Sequence, residues 1–399
     1  MSRKVEAIRL GRLAESQTLA MTRLARELKA QGKDVINLSI GEPDFNTPDF
    51  IKEAAKKAID DNYSHYTPVP GLPELRSAIS TKFKRDNGLN YAPEQIVVST
   101  GAKHSIANVA LSILNEGDEV LVPAPYWVSY LEIIKLAEAT PIIIPTDIEN
   151  DFKVTVEQIK SHITPKTRMI IYSSPCNPTG SLYSKDELKE IADLLSNYPD
   201  IIVVSDEIYE HINFVGQHES IAQFENIYEQ TVTINGVSKG YAMTGWRIGY
   251  IGAPKWIADA CTKIQGQFTS GTSAISQKAA EAAILAEPSV TNEMKKAFLE
   301  RRNLVLELLG KIEGFKLNQP EGAFYVFPEI SSFFGKTYNG TTINNSQDLC
   351  MFLLNEANVA LVSGEAFGAE GYIRISYATS NDILIESIKR IEKAVALLK

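Results

Sequence analysis

From Ile96 onward, short runs of β-branched residues recur along the chain, separated by segments with the spacing of amphipathic helices. The runs are Gln95-Ile-Val-Val-Ser-Thr, Glu119-Val-Leu-Val, Pro141-Ile-Ile-Ile-Pro, Arg168-Met-Ile-Ile-Tyr, Ile201-Ile-Val-Val-Ser, Thr231-Val-Thr-Ile-Asn and Arg247-Ile-Gly-Tyr-Ile-Gly. Being apolar on both faces, they predict one mostly parallel sheet of about seven strands covered by helices, the α/β class. Ligands of such a sheet gather at the C-terminal ends of its strands. After the first run, Ile106, Val109, Ala110, Ile113 and Leu114 form one helical stripe that Gly117 is expected to close.

The pattern differs at the two ends of the chain. From Ser16 the spacing predicts a helix carrying Leu24 and Leu28, stopped at Gly32, followed by a polar, Pro-punctuated stretch from Asn37 to Pro48. Beyond about Glu300, aromatic-rich strand segments (Ala323-Phe-Tyr-Val-Phe and Tyr372-Ile-Arg-Ile-Ser-Tyr) precede a last helix with apolar Leu384, Ile388, Ile391, Val395 and Leu398 and Ser380 as its N-cap. This part is read as a second, smaller α+β domain. The division expected is 1–46 (joining the small domain), 47–299 (large domain) and 300–399 (small C-terminal domain). The stretch from Phe334 to Asn345 reads as a polar loop.

The 399 residues carry 40 Lys+Arg against 49 Asp+Glu, a formal charge of −9. Such a surface repels phosphate and argues against nucleic acid or an anionic membrane as partner, so an anionic ligand needs local cations. The charged opening residues do not form a secretory signal, no run reaches a membrane span, and a cytosolic protein is expected. Cys176, Cys261 and Cys350 are odd in number and far apart, which predicts buried thiols and neither a disulfide framework nor a metal site.

No GxGxxG, GxxxxGK[ST] or HExxH pattern is present, which removes the usual support for nicotinamide, nucleotide and zinc chemistry. The polar residues that stand out lie at strand ends. Asp206, after Ile201-Ile-Val-Val-Ser, either caps a following helix or faces a buried cationic nitrogen. Lys239 sits among small and apolar residues beside Ser238, with Arg247 eight positions on. That spacing fits a lysine forming a Schiff base while the serine and arginine hold a phosphate. Gly101-Ala102 opens a helix directly after a strand, so free N–H groups there also suit a phosphate.

The stretch from Gly236 to Gly249 resembles the lysine signature of class I and II pyridoxal-phosphate aminotransferases. The resemblance extends over nearly the whole chain through Asn37-Leu-Ser-Ile-Gly41, Tyr66-Thr-Pro-Val-Pro-Gly71, Thr100-Gly-Ala-Lys103, Pro125-Tyr-Trp127, Ser174-Pro-Cys-Asn177-Pro-Thr-Gly180 and Tyr372-Ile-Arg374. It is nearest to the bacterial aspartate/prephenate branch. It implies the PLP fold type I and a transaminase with pyridoxal 5'-phosphate as cofactor.

The resemblance also implies residue roles. Lys239 would carry the cofactor as an aldimine and then serve as the base. Asp206 would pair with the pyridine nitrogen, Tyr209 and Asn177 would bond the phenolic oxygen, and Trp127 would stack on the ring, with Trp127 and Asn177 also contacting the substrate. Gly101, Ala102, Ser238 and Arg247 would surround the phosphate, with Tyr66 supplied by the second subunit of a homodimer, and Lys103 would border the cofactor. Arg374 would bind the substrate α-carboxylate, with Gly41 letting the N-terminal segment close. The stretch 266–277 lacks the cation that animal and enteric aspartate aminotransferases use, leaving Lys103, helped by Ser16 and Thr18, for the distal carboxylate. The activity implied is ping-pong transfer from L-aspartate to 2-oxoglutarate; other specificities (prephenate, aromatic, alanine) or a lyase on the same fold remain open. A regulator with an aminotransferase-like domain and a catalytically silent scaffold are the readings from other classes. The first is opposed by the early start of the resemblance, the second by the joint presence of Lys239, Asp206, Tyr209, Asn177, Arg247 and Arg374.

Overall fold

The computed structural model describes residues 6–399, so the charged opening residues 1–5 lie outside the described part. The chain enters through the helix Gln17–Ala30 and a two-residue strand, β1 (Ile36–Asn37). Its middle part forms the large sheet from β2 (Ile96–Ser99), β3 (Glu119–Ala124), β4 (Thr140–Pro145), β5 (Thr167–Ser173), β6 (Ile202–Asp206), β7 (Thr231–Gly236) and β8 (Gly249–Gly252). The C-terminal part adds β9 (Tyr325–Val326), β10 (Thr337–Tyr338), β11 (Thr341–Thr342), β12 (Val359–Ala360), β13 (Val362–Ser363) and β14 (Ile373–Ser376), and closes with the helix Asn381–Val395.

The large sheet has seven strands in the order β2-β8-β7-β6-β5-β3-β4. All neighbours are parallel except β8, which runs antiparallel to both β7 and β2. Helices cover both faces. Val97, Val122, Ile171 and Val204 pack with Val109 and Ile134 in one core, and Val203 and Ile170 with Leu188 and Ile191 in another. This two-sided burial is why the strands read as unbroken apolar runs. Because β8 is reversed, its start lies at the rim where β2, β5, β6 and β7 end.

The smaller sheet has the order β13-β14-β9, all antiparallel, and β1 pairs in parallel with β12. Met21 and Ala25 of the first helix share a core with Val359, Ile375, Leu384 and Ile388, so both chain ends contribute to one apolar interior. Burying that interior is the main favourable term holding the N-terminal segment in place.

Several local readings change. The Ala102–Ile113 helix stops before Leu114, which is extended, and Gly117 (φ 87°) belongs to the turn that follows. The expected loop at 334–345 contains the β10/β11 hairpin, and Asn345 caps the helix Ser346–Glu356 through its side chain. Ser380 caps the last helix as expected, accepting from the Ile383 N–H. Cys261 and Cys350 are buried and Cys176 is half-buried, all as free thiols.

Candidate active site

At the rim of the large sheet lies a cavity of about 460 Å³ lined by Lys239, Asp206, Tyr209, Asn177, Trp127, Lys103, Ser238, Arg247, Arg374, Ala102 and Gly41, with Ser16 and Thr18 at its N-terminal wall. β6 brings Asp206 there as its last residue, 4% exposed. No helix follows, so the residue is not a helix cap. Its Oδ2 accepts from the Tyr130 hydroxyl at 2.7 Å and its Oδ1 from the Ile208 N–H at 3.3 Å. No ion pair reaches it among the described residues, and burial pushes the carboxyl up to about 6. A buried carboxylate in this state gains from a nearby cation.

Lys239 follows β7. Its Nζ donates to the Gly41 carbonyl oxygen at 2.6 Å and lies 5.8 Å from the Tyr209 ring centre. Burial is the largest cause that lowers its ammonium to about 8; Arg374 and Arg247 add to the lowering, while Glu42 and Asp206 oppose it. An amine so placed is available as nucleophile and base near neutral pH.

Three backbone segments converge beside it. Gly101 adopts φ 87° at the N-cap of the Ala102–Ile113 helix, and any Cβ there would strike the Arg247 guanidinium. A Cβ on Gly249 would strike the backbone of Gly101 and Ala102. Arg247 itself adopts φ 57°, and its Nη1 donates to the Thr244 carbonyl at 2.8 Å. It has no carboxylate partner among the described residues, and Ser238 is buried alongside. Helix N–H groups, a hydroxyl and an unpaired guanidinium together make an anion cradle.

The small sheet contributes Arg374. It lies on the central strand β14 and is 2% exposed, so it is not a solvated edge-strand residue. Its Nη1 donates to Asn177 Oδ1 at 2.9 Å and its Nη2 to the Ser39 carbonyl at 2.6 Å, while Nε has no partner. Tyr325 and Phe367 flank the guanidinium, with ring centres 4.5 and 5.0 Å from its carbon. Desolvation of a guanidinium without an acid is costly, and burial accordingly lowers its pKa. Lys103, in the first turn of its helix, places Nζ 5.0 Å from the centre of the Trp127 ring; burial, then Arg247, lowers its pKa. Trp127 packs edge-on against Tyr130. Tyr66 stands apart from this group and is fully exposed.

The family described as aminotransferase class I and II matches residues 33–391. The chain belongs to the class I and II aminotransferases. Among relatives, it is 49% identical over 396 residues to a bifunctional aspartate aminotransferase and glutamate/aspartate-prephenate aminotransferase of Petunia hybrida, covering 98% of this chain and 83% of that protein. It is 48% identical to a probable aspartate/prephenate aminotransferase of Rickettsia bellii, with 98% of both chains covered. The crystal structure of the aspartate aminotransferase from Rhizobium meliloti superposes with a TM-score of 0.96 at 40% identity, covering 99% of each chain.

The cofactor of this family, pyridoxal phosphate, has three recognisable parts, and the residues present fit each of them. The anion cradle suits the phosphate, the uncompensated Asp206 carboxylate suits a protonated ring nitrogen, and the Lys239 amine suits the aldehyde. Three contributors to this aminotransferase site were not singled out from sequence. Tyr130 holds Asp206, the Ser39 carbonyl holds Arg374, and Tyr325 touches both Arg374 and Tyr209, its hydroxyl 2.9 Å from that of Tyr209. A buried tyrosine hydroxyl needs a partner, which is the signal that points to Tyr130 and Tyr325.

Behind the site, Glu207, Glu210 and His218 bring ligand atoms within 4.8 Å of one another. The Lys82 ammonium already pairs with Glu210, and His218 Nε2 lies 3.0 Å from Glu207, so the positive charge of that cluster is supplied by side chains.

Proposed function

We propose that this aminotransferase transfers the amino group of L-aspartate to 2-oxoglutarate by a ping-pong route with pyridoxal 5'-phosphate, as a homodimer. The observation that carries the reading is Arg374: a buried guanidinium with no acidic partner among the described residues, opening on the same cavity as an amine whose pKa has fallen to about 8.

The cofactor, when bound, supplies an electron sink for the pair released when the substrate Cα–H bond breaks. Lys239 would be the base that accepts that proton on its Nζ and the acid that later gives it up, a contribution of about 10²–10⁴-fold for general acid-base catalysis. Asp206, kept in place by Tyr130, holds a proton on the ring nitrogen. Tyr209 and Asn177 donate toward the phenolic oxygen, and Trp127 covers the ring face. Gly101, Ala102, Ser238 and Arg247 bind the phosphate, and the exposed Tyr66 reaches the site of the second subunit. Arg374 clamps the α-carboxylate with two parallel N–H bonds. Lys103, with Ser16 and Thr18, binds the distal carboxylate, because it is the cationic side chain of the cavity left without another task.

The division into 1–46, 47–299 and 300–399 is supported by the β1/β12 pairing and by the shared core of the two chain ends. It puts Gly41 and Arg374 on the part that can close over substrate.

A panel of amino donors and oxo acids tests the assignment. Aspartate with 2-oxoglutarate should give the highest kcat/KM, and Lys239→Ala should abolish turnover and the absorbance band of the lysine-bound cofactor. Undiminished turnover in Lys239→Ala would sink the reading. A second specificity, prephenate as amino acceptor, is favoured by the names of the Petunia and Rickettsia relatives, and the same panel at equal concentrations decides it.

A further inference from the structure

The hydroxyls of Tyr209 and Tyr325 lie 2.9 Å apart, and Tyr325 is completely buried. Tyr325 sits on β9 in register with Ser376 of β14, so its strand is paired directly with the one that carries Arg374. Its ring lies 4.5 Å from the Arg374 guanidinium carbon, and the rings of Tyr209 and Tyr325 meet edge to face at 5.9 Å. The Gly41 backbone rests against the Tyr325 hydroxyl so closely that a Cβ could not be added. That same glycine accepts from Lys239. One side chain of the small sheet thus touches the carboxylate clamp, the phenol at the end of β6 and the segment that holds the lysine.

We propose that Tyr325 is a positioning residue with two separable duties: its ring sets the Arg374 guanidinium, and its hydroxyl donates to Tyr209 so that Tyr209 can donate onward. This rests on the reading of the site given above. A phenol whose oxygen accepts one hydrogen bond is a stronger donor in the next, because the two bonds polarise each other. Tyr325 is the protein hydroxyl placed to give that bond. Among the described residues, its own hydroxyl has no other hydrogen-bond partner. The charged and titratable groups around the pair are Arg374 from β14, Asp206 at the end of β6, Lys239 after β7 and Tyr377 after β14. None of them can replace the Tyr325 hydroxyl as donor to Tyr209, since none is hydrogen-bonded to it.

The two duties are tested with Tyr325→Phe, which removes only the hydroxyl, and Tyr325→Leu, which also removes the ring. Both proteins are loaded with pyridoxal phosphate. The readouts are the pH titration of the cofactor absorbance and the Kd of succinate, an unreactive dicarboxylate. Weaker donation from Tyr209 stabilises the phenolic anion less, so Tyr325→Phe should move the absorbance transition up by about 1 pH unit, the size of one hydrogen bond. Its succinate affinity should stay within about two-fold, because the ring is kept. Tyr325→Leu should show the same upward move and bind succinate about 3–30-fold more weakly, the range of a desolvated cation–π contact. A transition that stays in place or moves down in Tyr325→Phe, or succinate binding of parent strength in Tyr325→Leu, overturns the proposal. If the parent protein itself shows no pH-dependent cofactor band and no bleaching with aspartate, it is the reading of the site that fails.

Discussion

The Tyr130 hydroxyl donates a hydrogen bond to Oδ2 of Asp206 at 2.7 Å, and both groups are buried. This bond favours the ionised carboxylate, whereas burial opposes it, and the balance leaves Asp206 at about 6. The tyrosine therefore decides how much negative charge stands at the end of β6 at neutral pH.

Replacing Tyr130 by Phe keeps the packing and removes the bond. The Asp206 carboxyl then rises further above its ordinary value and is less ionised at pH 7. A hydrogen bond to a charged group contributes about 1.5–3 kcal/mol. The Kd for pyridoxal phosphate should rise about ten-fold or more, measured by equilibrium dialysis, with a circular dichroism spectrum like that of the parent.

Asp206 also makes the cofactor-free protein pH-sensitive in a defined direction. Its folded value of about 6 lies above the ordinary 3.8, so the folded state holds the proton more tightly than the unfolded one. Stability from this group is present below about pH 4 and is lost as the pH rises to about 6. Asp206→Asn should flatten that loss. Urea midpoints of the cofactor-stripped proteins between pH 4 and 8 should show the variant gaining on the parent across this window.

Lys103 lies over Trp127 with no ion-pair partner among the described residues, and burial already weakens its hold on the proton. Its substitution by Ala should raise the KM for aspartate about 10–100-fold, in keeping with a charge-assisted contact. The kcat/KM for alanine, which has no distal carboxylate, should change by less than about three-fold. Steady-state kinetics with both donors checks this, and an equal loss for both would remove Lys103 from the distal-carboxylate role.

Gly249 is needed because the Gly101–Ala102 backbone occupies the space of its side chain. Gly249→Ala pushes that backbone toward the cradle, with an overpacking cost of about 1–3 kcal/mol. The affinity for pyridoxal phosphate should fall more than that for pyridoxal, which lacks the phosphate, as measured by parallel titrations.

The sheet was legible because its strands are buried on both faces, which forces runs such as Ile202–Val204 to be apolar throughout. Strand direction leaves no such mark in composition, so the reversal of β8 could not be read. Asp206 and Lys239 could be singled out as polar residues after apolar runs, and Arg247 by its spacing from Lys239. Arg374 could not be distinguished from an edge residue: in Ile373-Arg374-Ile375 alternation shows which side the arginine takes, not what covers that side. Tyr130 and Tyr325 were hidden for a related reason, since a buried aromatic looks the same in sequence whether its hydroxyl is structural or holds a catalytic group.

Reversing β8 has a consequence for how the chain can change. Since β7 leaves the rim and β8 re-enters at the same rim, the whole connection from Gly236 to Gly249 is a single hairpin carrying both the lysine and the arginine. The two are tethered by a fixed length of chain whose ends are pinned by paired strands. An insertion between them would shift the amine relative to the phosphate clamp, whereas insertions in the helical crossovers elsewhere leave that spacing intact. The hairpin thus acts as a ruler.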